Sequence, residues 1–182
     1  MLVTVLAHTI LSHLSLKVSA YALSSGMYHL VPHVHTDPSK ALRVCADPKA
    51  GALLTATTAA SPPPGSCCQW YINAQPEKTD PVLGDYQLAT IELCCGTTGN
   101  CRELYPQLAS SHLVRLGADP EEYNVYGPDP LDWARLISSY EGTEKPPQEW
   151  YLNKAGRIMH DIYDNLDDED AERNTFFFKP VE

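Results

Sequence analysis

Short runs in which apolar and polar positions alternate recur along the chain, separated by Pro, Gly, Asn and Asp, and this pattern predicts strands joined by turns. Met27 to His35 reads as the first strand, with Pro32 suggesting an edge or a bulge. Ala41 to Cys45 and Leu53 to Thr58 follow, divided by the turn Asp47 to Gly51. The loop Ser61 to Ser66 then leads to Trp70-Tyr71-Ile72-Asn73. Gly84 to Leu93 opens a second cycle, in which Tyr86, Leu88 and Thr90 alternate with Gln87 and Ala89. Glu103 to Tyr105 and Leu113 to Leu116 are weaker strands, and Ala118 to Glu122 is a turn or a short helix. Leu131 to Tyr140 fits a strand pair or one helix equally. Thr175 to Val181 closes the pattern as a strand expected to pair with the N-terminal one. Trp150-Tyr151-Leu152-Asn153 looks like a second copy of the Trp70 segment, 80 positions on (150 minus 70). A period near 40 with a degenerate middle copy is the expectation, and repetition of that kind points to a small all-β fold built for binding.

Composition narrows the class. The 182 residues suit one domain, 43% hydrophobic residues can fill a core, and 15 Pro against 10 Gly favour a turn-rich chain. A formal charge of -10 repels phosphate backbones, so no nucleic-acid partner is expected. Residues 1–20 read as a secretory signal peptide, with an apolar stretch from Leu2 to Leu16 ahead of Val18-Ser19-Ala20, and 21–182 as a single domain. No later stretch reaches the roughly 20 apolar residues that span a bilayer. The expected product is secreted, extracellular, monomeric and without a membrane partner. Six cysteines beyond the leader, Cys45, Cys67, Cys68, Cys94, Cys95 and Cys101, form a disulfide framework whose connectivity the sequence leaves open. Adjacent cysteines are poor partners for each other, so Cys67 and Cys68 should reach different partners, as should Cys94 and Cys95.

A tyrosine-led strand, Ala41-Leu42-Arg43-Val44 after a turn, a Trp-ended strand and a further Tyr-x-Leu strand together resemble a ricin-B-type β-trefoil. The resemblance implies three repeats forming a closed barrel with a hairpin cap. Gln148-Glu149-Trp150 matches the family's Gln-x-Trp, whereas Cys68 holds the Gln position ahead of Trp70. It makes Trp70 and Trp150 core residues, with Gln148 orienting a loop. The family's sugar-binding Asp is replaced by Arg43 in the first repeat, so a surviving pocket would lie in the third, where Asp129, Asp132, Trp133 and Tyr140 offer acceptors and an aromatic face.

Other chemistry is thin. His29, His33 and His35 would share a strand face, but His29 and His33 stand about 13 Å apart on a regular strand, so a solvated face is expected and no metal. The acidic residues from Asp161 to Glu172 lack the Gly of a calcium loop. Gly-x-Ser-x-Gly and His-Glu-x-x-His are absent, so neither an enzyme nor a cofactor is expected. The resulting expectation is a lectin-like binding protein recognising a glycan or an extracellular protein through loops. The alternatives are a protease inhibitor like the fungal β-trefoil inhibitors, using Ser61 to Ser66 or Gln75 to Leu83, and an effector or toxin without a small-molecule ligand.

Overall fold

The computed structural model of the protein describes residues 22–33, 42–58, 60, 62–80, 84–96, 100–127, 134–138, 147–162 and 174–182. Those residues form strands and turns with no helix. In chain order the strands are β1 (Gly26–Pro32), β2 (Leu42–Cys45), β3 (Thr55–Thr58), β4 (Gln69–Ala74), β5 (Lys78–Asp80), β6 (Gly84–Cys95) and β7 (Asn100–Cys101). They continue as β8 (Tyr105–Leu108), β9 (Val114–Gly117), β10 (Glu122–Tyr126), β11 (Ala134–Ser138), β12 (Gln148–Leu152), β13 (Ile158–Ile162) and β14 (Thr175–Pro180).

Six of these strands close on themselves. The ring runs β10-β6-β4-β1-β14-β11, and the pairing of β11 back to β10 completes it. Every neighbouring pair is antiparallel, which an even number of strands allows without a mismatched seam. Closure leaves the ring without the exposed edge that invites further pairing. β14 pairs with β1 from Tyr28↔Pro180 to Pro32↔Phe176, so the last strand does lie beside the first. Pro32 fits inside this ring because β1 pairs with β4 only over Gly26 to Tyr28. Beyond Tyr28, β1 is bonded on its β14 side alone, and the proline's missing N–H interrupts no ladder on the other.

Three hairpins, β2–β3, β8–β9 and β12–β13, each lie between two ring strands in the chain, and their backbones interlock cyclically. Leu116 N–H donates to Ala52 O at 2.9 Å, His160 N–H to His112 O at 2.9 Å, and Ala56 N–H to Gly156 O at 2.8 Å. The bridges Leu53↔Arg115, Leu113↔Met159 and Arg157↔Thr55 follow the same rotation. At the centre of these bridges sit Leu54, Val114 and Ile158, all fully buried.

The strands that return from each hairpin to the ring carry a matching set of large side chains. Trp70 on β4, Tyr123 on β10 and Phe176 on β14 are fully buried and fall 53 positions apart (123 minus 70, and 176 minus 123). Ile72, Val125 and Phe178 repeat that spacing two residues later and are also buried. Trp70 Nε1 donates to Val44 O on β2 at 2.9 Å, and Tyr123 Oη donates to Pro106 O on β8 at 2.9 Å. At the third position Phe176 has no donor and instead meets the ring of Trp150 on β12 edge-on, with centroids 6.2 Å apart.

This arrangement corrects the reading of the two Trp-Tyr segments as copies of one unit. Trp70 stands on a ring strand and Trp150 on a hairpin strand that pairs with β13, so they occupy different places although both are fully buried. The asparagines differ accordingly. Asn73 remains within β4, whereas the side chain of Asn153 accepts the N–H groups of Ala155 and Arg157 to shape the β12–β13 turn. The period near 40 is replaced by the spacing of 53. Ala134–Ser138 is a single strand rather than a strand pair or a helix, and residues 118–121 form a bend leading into β10.

Candidate functional site

The six cysteines pair as Cys45–Cys68, Cys67–Cys95 and Cys94–Cys101, so no neighbouring pair is bonded internally. Two of the bridges hold the chain directly after the segment Pro62 to Ser66, of which Pro62 to Gly65 are exposed. Cys45–Cys68 ties its C-terminal side to β2, and Cys67–Cys95 ties it to the end of β6. Between them, Ala46 and Cys67 exchange backbone hydrogen bonds at 3.0 and 2.8 Å. The segment itself is a tight turn. Ser66 N–H donates to Pro63 O at 3.0 Å and its hydroxyl to the same oxygen at 2.6 Å. Pro64 supplies the fixed φ of the first central position and Gly65, at φ 80°, the left-handed second one. Three prolines, the turn's own hydrogen bonds and two disulfides just beyond Ser66 reduce the freedom this loop would lose on contact with a partner.

Beneath the loop lies a cavity of about 180 Å³ between β1, β2, β4 and the end of β6. Its polar lining residues are His29, Arg43, Thr58, Ser66 and Gln69, and the disulfide-bonded Cys45, Cys67, Cys68 and Cys94 line it together with Pro62. His29 reaches it from β1 and is buried, which corrects the expected solvated histidine face. Its Nδ1 lies 2.9 Å from Cys68 O. A carbonyl only accepts, so Nδ1 carries the proton and Nε2 of the neutral ring is left as an acceptor. Burial holds the His29 pKa below the ordinary histidine value, against the pull of the Cys68 carbonyl, and the cations Arg43 and Lys179 push the same way as burial. The half-buried Arg43 guanidinium has no carboxylate partner among the described residues.

Two further polar clusters brace the structure. Glu149 is buried on β12, where Arg135 on β11 forms an ion pair with it and Asn174 donates to its Oε2 at 2.8 Å. The half-buried Gln148 bonds the ring of His160, whose Nε2 meets Ala109 O at 2.8 Å. His112 stacks on that ring at 5.9 Å and pairs with Asp161 at 3.1 Å. Burial lowers the His160 pKa, opposed by its bond to Ala109 and by Asp161, and assisted by His112.

The sugar-pocket candidates Asp129, Asp132, Trp133 and Tyr140 lie outside the described residues, as do His35 and residues 1–20. Among the described residues no three His, Cys, Asp or Glu side chains stand close enough to hold a metal ion. Sequence reasoning reached Arg43 only as a departure from the family pattern. It did not connect Arg43 with His29 and Gln69, because the three share no local motif. Compared with protein-family models, curated proteins and solved structures, the chain matches none.

Proposed function

We propose that the chain is an extracellular, non-enzymatic binding protein on a β-trefoil scaffold of the ricin-B type, with loops as its contact surface. Three observations support the trefoil reading: the closed ring, the cyclic hydrogen bonds among three hairpins, and the 53-residue spacing of Trp70, Tyr123 and Phe176. Three repeats then run from β1 to β4, from β6 to β10 and from β11 to β14. Disulfides at the base of the protruding loop accord with an oxidising compartment.

The observation that carries binding is the exposed proline turn Pro62 to Ser66, closed by its own hydrogen bonds and anchored on its C-terminal side by Cys45–Cys68 and Cys67–Cys95. A pre-set convex loop suits the surface of a partner protein. The same rigidity favours a second reading, inhibition of a protease by occupation of its cleft. The test is to screen the secreted protein against an extracellular protein and protease panel beside a glycan array. A protein partner or protease that is lost when Pro62 to Ser66 is replaced by a Gly-Ser segment of equal length supports the loop reading. Glycan binding abolished by Trp133→Ala, with the loop replacement silent, would move recognition to the third repeat.

A further inference from the structure

We infer that the cavity beneath the proline loop is a binding site for a small carboxylate with a body of about the size of benzoate. The inference stands on the cavity and is independent of what the loop contacts. A half-buried guanidinium lines the cavity, and no described carboxylate pairs with it, in a chain whose net charge is -10. Acidic residues are therefore abundant, yet none of the described ones lines this space. The guanidinium fork matches a carboxylate through two parallel N–H bonds. The Gln69 amide and the Thr58 hydroxyl line the same space and are without a side-chain partner among the described residues, so they can complete the anion's shell.

Size and wall chemistry choose among anions. A cavity of about 150 Å³ suffices for benzene, so about 180 Å³ admits a ring or a short aliphatic body together with its carboxylate. Pro62 and the disulfide-bonded cysteines among the lining residues offer an apolar wall for that body. A disaccharide is too large, and its hydroxyls would find no carboxylate acceptor. Phosphate, small, wholly polar and doubly charged, would leave the apolar wall uncovered and face one lining cation.

The test titrates the full-length protein with sodium benzoate, benzamide and inorganic phosphate, following the His29 ring and the Gln69 side-chain amide by NMR. Benzoate should shift both saturably with a millimolar Kd, and benzamide should bind at least about tenfold more weakly. Bound benzoate should also raise the His29 pKa, since a carboxylate offsets Arg43 of β2 and Lys179 of β14. From β4 and β6 the cavity is lined only by the uncharged Gln69 and Cys94. Arg43→Gln should weaken benzoate by at least about tenfold, and Arg43→Lys by less. If Arg43→Gln does not fold, the comparison of benzoate with benzamide on the wild type decides. Equal binding of benzamide, no saturable shift below about 50 mM benzoate, phosphate binding tighter than benzoate, or undiminished binding by a folded Arg43→Gln would each overturn the assignment.

Discussion

The indole N–H of Trp70 donates to the carbonyl oxygen of Val44 across 2.9 Å, fastening a ring strand to the first strand of a hairpin. Tyr123 and Pro106 make the same connection between β10 and β8, through a phenol in place of an indole. Each bond satisfies a backbone carbonyl of a buried hairpin residue.

Trp70→Phe keeps an aromatic ring but abandons the Val44 oxygen. An unsatisfied buried polar group costs about 1–3 kcal/mol, and in a chain of this length each kcal/mol lowers Tm by roughly 2–4 °C. Thermal denaturation should show that loss, with a larger one of about 3–5 kcal/mol for Trp70→Ala or Trp150→Ala. A Trp70→Phe protein as stable as the wild type would deny the bond any structural role.

Arg135→Met should leave the Glu149 carboxylate buried with only Asn174 beside it. Breaking one half of a buried ion pair costs about 3–5 kcal/mol, and partial solvation of the guanidinium places this pair towards the lower end. The double variant Arg135→Met/Glu149→Met should regain most of the loss in urea denaturation, because no uncompensated charge remains. Equal instability of the single and double variants would contradict this account.

Acidification should destabilise the fold through His29 and His160. Burial lowers both pKa values in the folded state, so below the ordinary value of about 6.5 the unfolded chain takes up protons that the native state resists. Their contribution to stability is present above about pH 6.5 and is lost as pH falls through the lower folded pKa values. Tm measured between about pH 7 and pH 5 should decline, and His160→Gln should flatten the decline. An unchanged slope in the variant would show that His160 does not share in it.

The disulfides should differ in weight. Cys67–Cys95 spans 28 positions and Cys94–Cys101 only 7. Chain-entropy arguments assign the longer closure about 3.6 kcal/mol and the shorter about 2.4. Denaturation of the paired Cys→Ser variants should separate them by about 1 kcal/mol, and native material should contain no free thiol. The reverse ranking would mean that native-state contacts outweigh loop entropy.

The strand β6 was legible in the sequence because its apolar alternation was regular, and short apolar runs announced β1 and β14, expected to pair with each other as they do. The Trp-Tyr segments misled because a buried aromatic run announces a strand without saying which strands flank it. The spacing that does recur joins Trp70, Tyr123 and Phe176, three different residues, so residue identity hides it and only bulk is kept. Glu149 shows a related limit. It stands between Gln148 and Trp150 in what reads as an alternating strand, yet it is buried because Arg135 and Asn174 receive it from two other segments. The cavity is less legible still, since His29, Arg43, Thr58 and Gln69 lie on β1, β2, β3 and β4, and only the packing of the β2–β3 hairpin against the ring strands brings them together.

The rotation of hydrogen bonds through Ala52, Leu116, His112, His160, Gly156 and Ala56 means that each hairpin is latched by both of the others. None can lift away singly, because releasing one breaks two latches and exposes the junction at Leu54, Val114 and Ile158. A protease waiting for one hairpin to open locally must therefore wait for all three. Resistance to digestion there follows the joint opening of all three hairpins and not the fraying of any one of them.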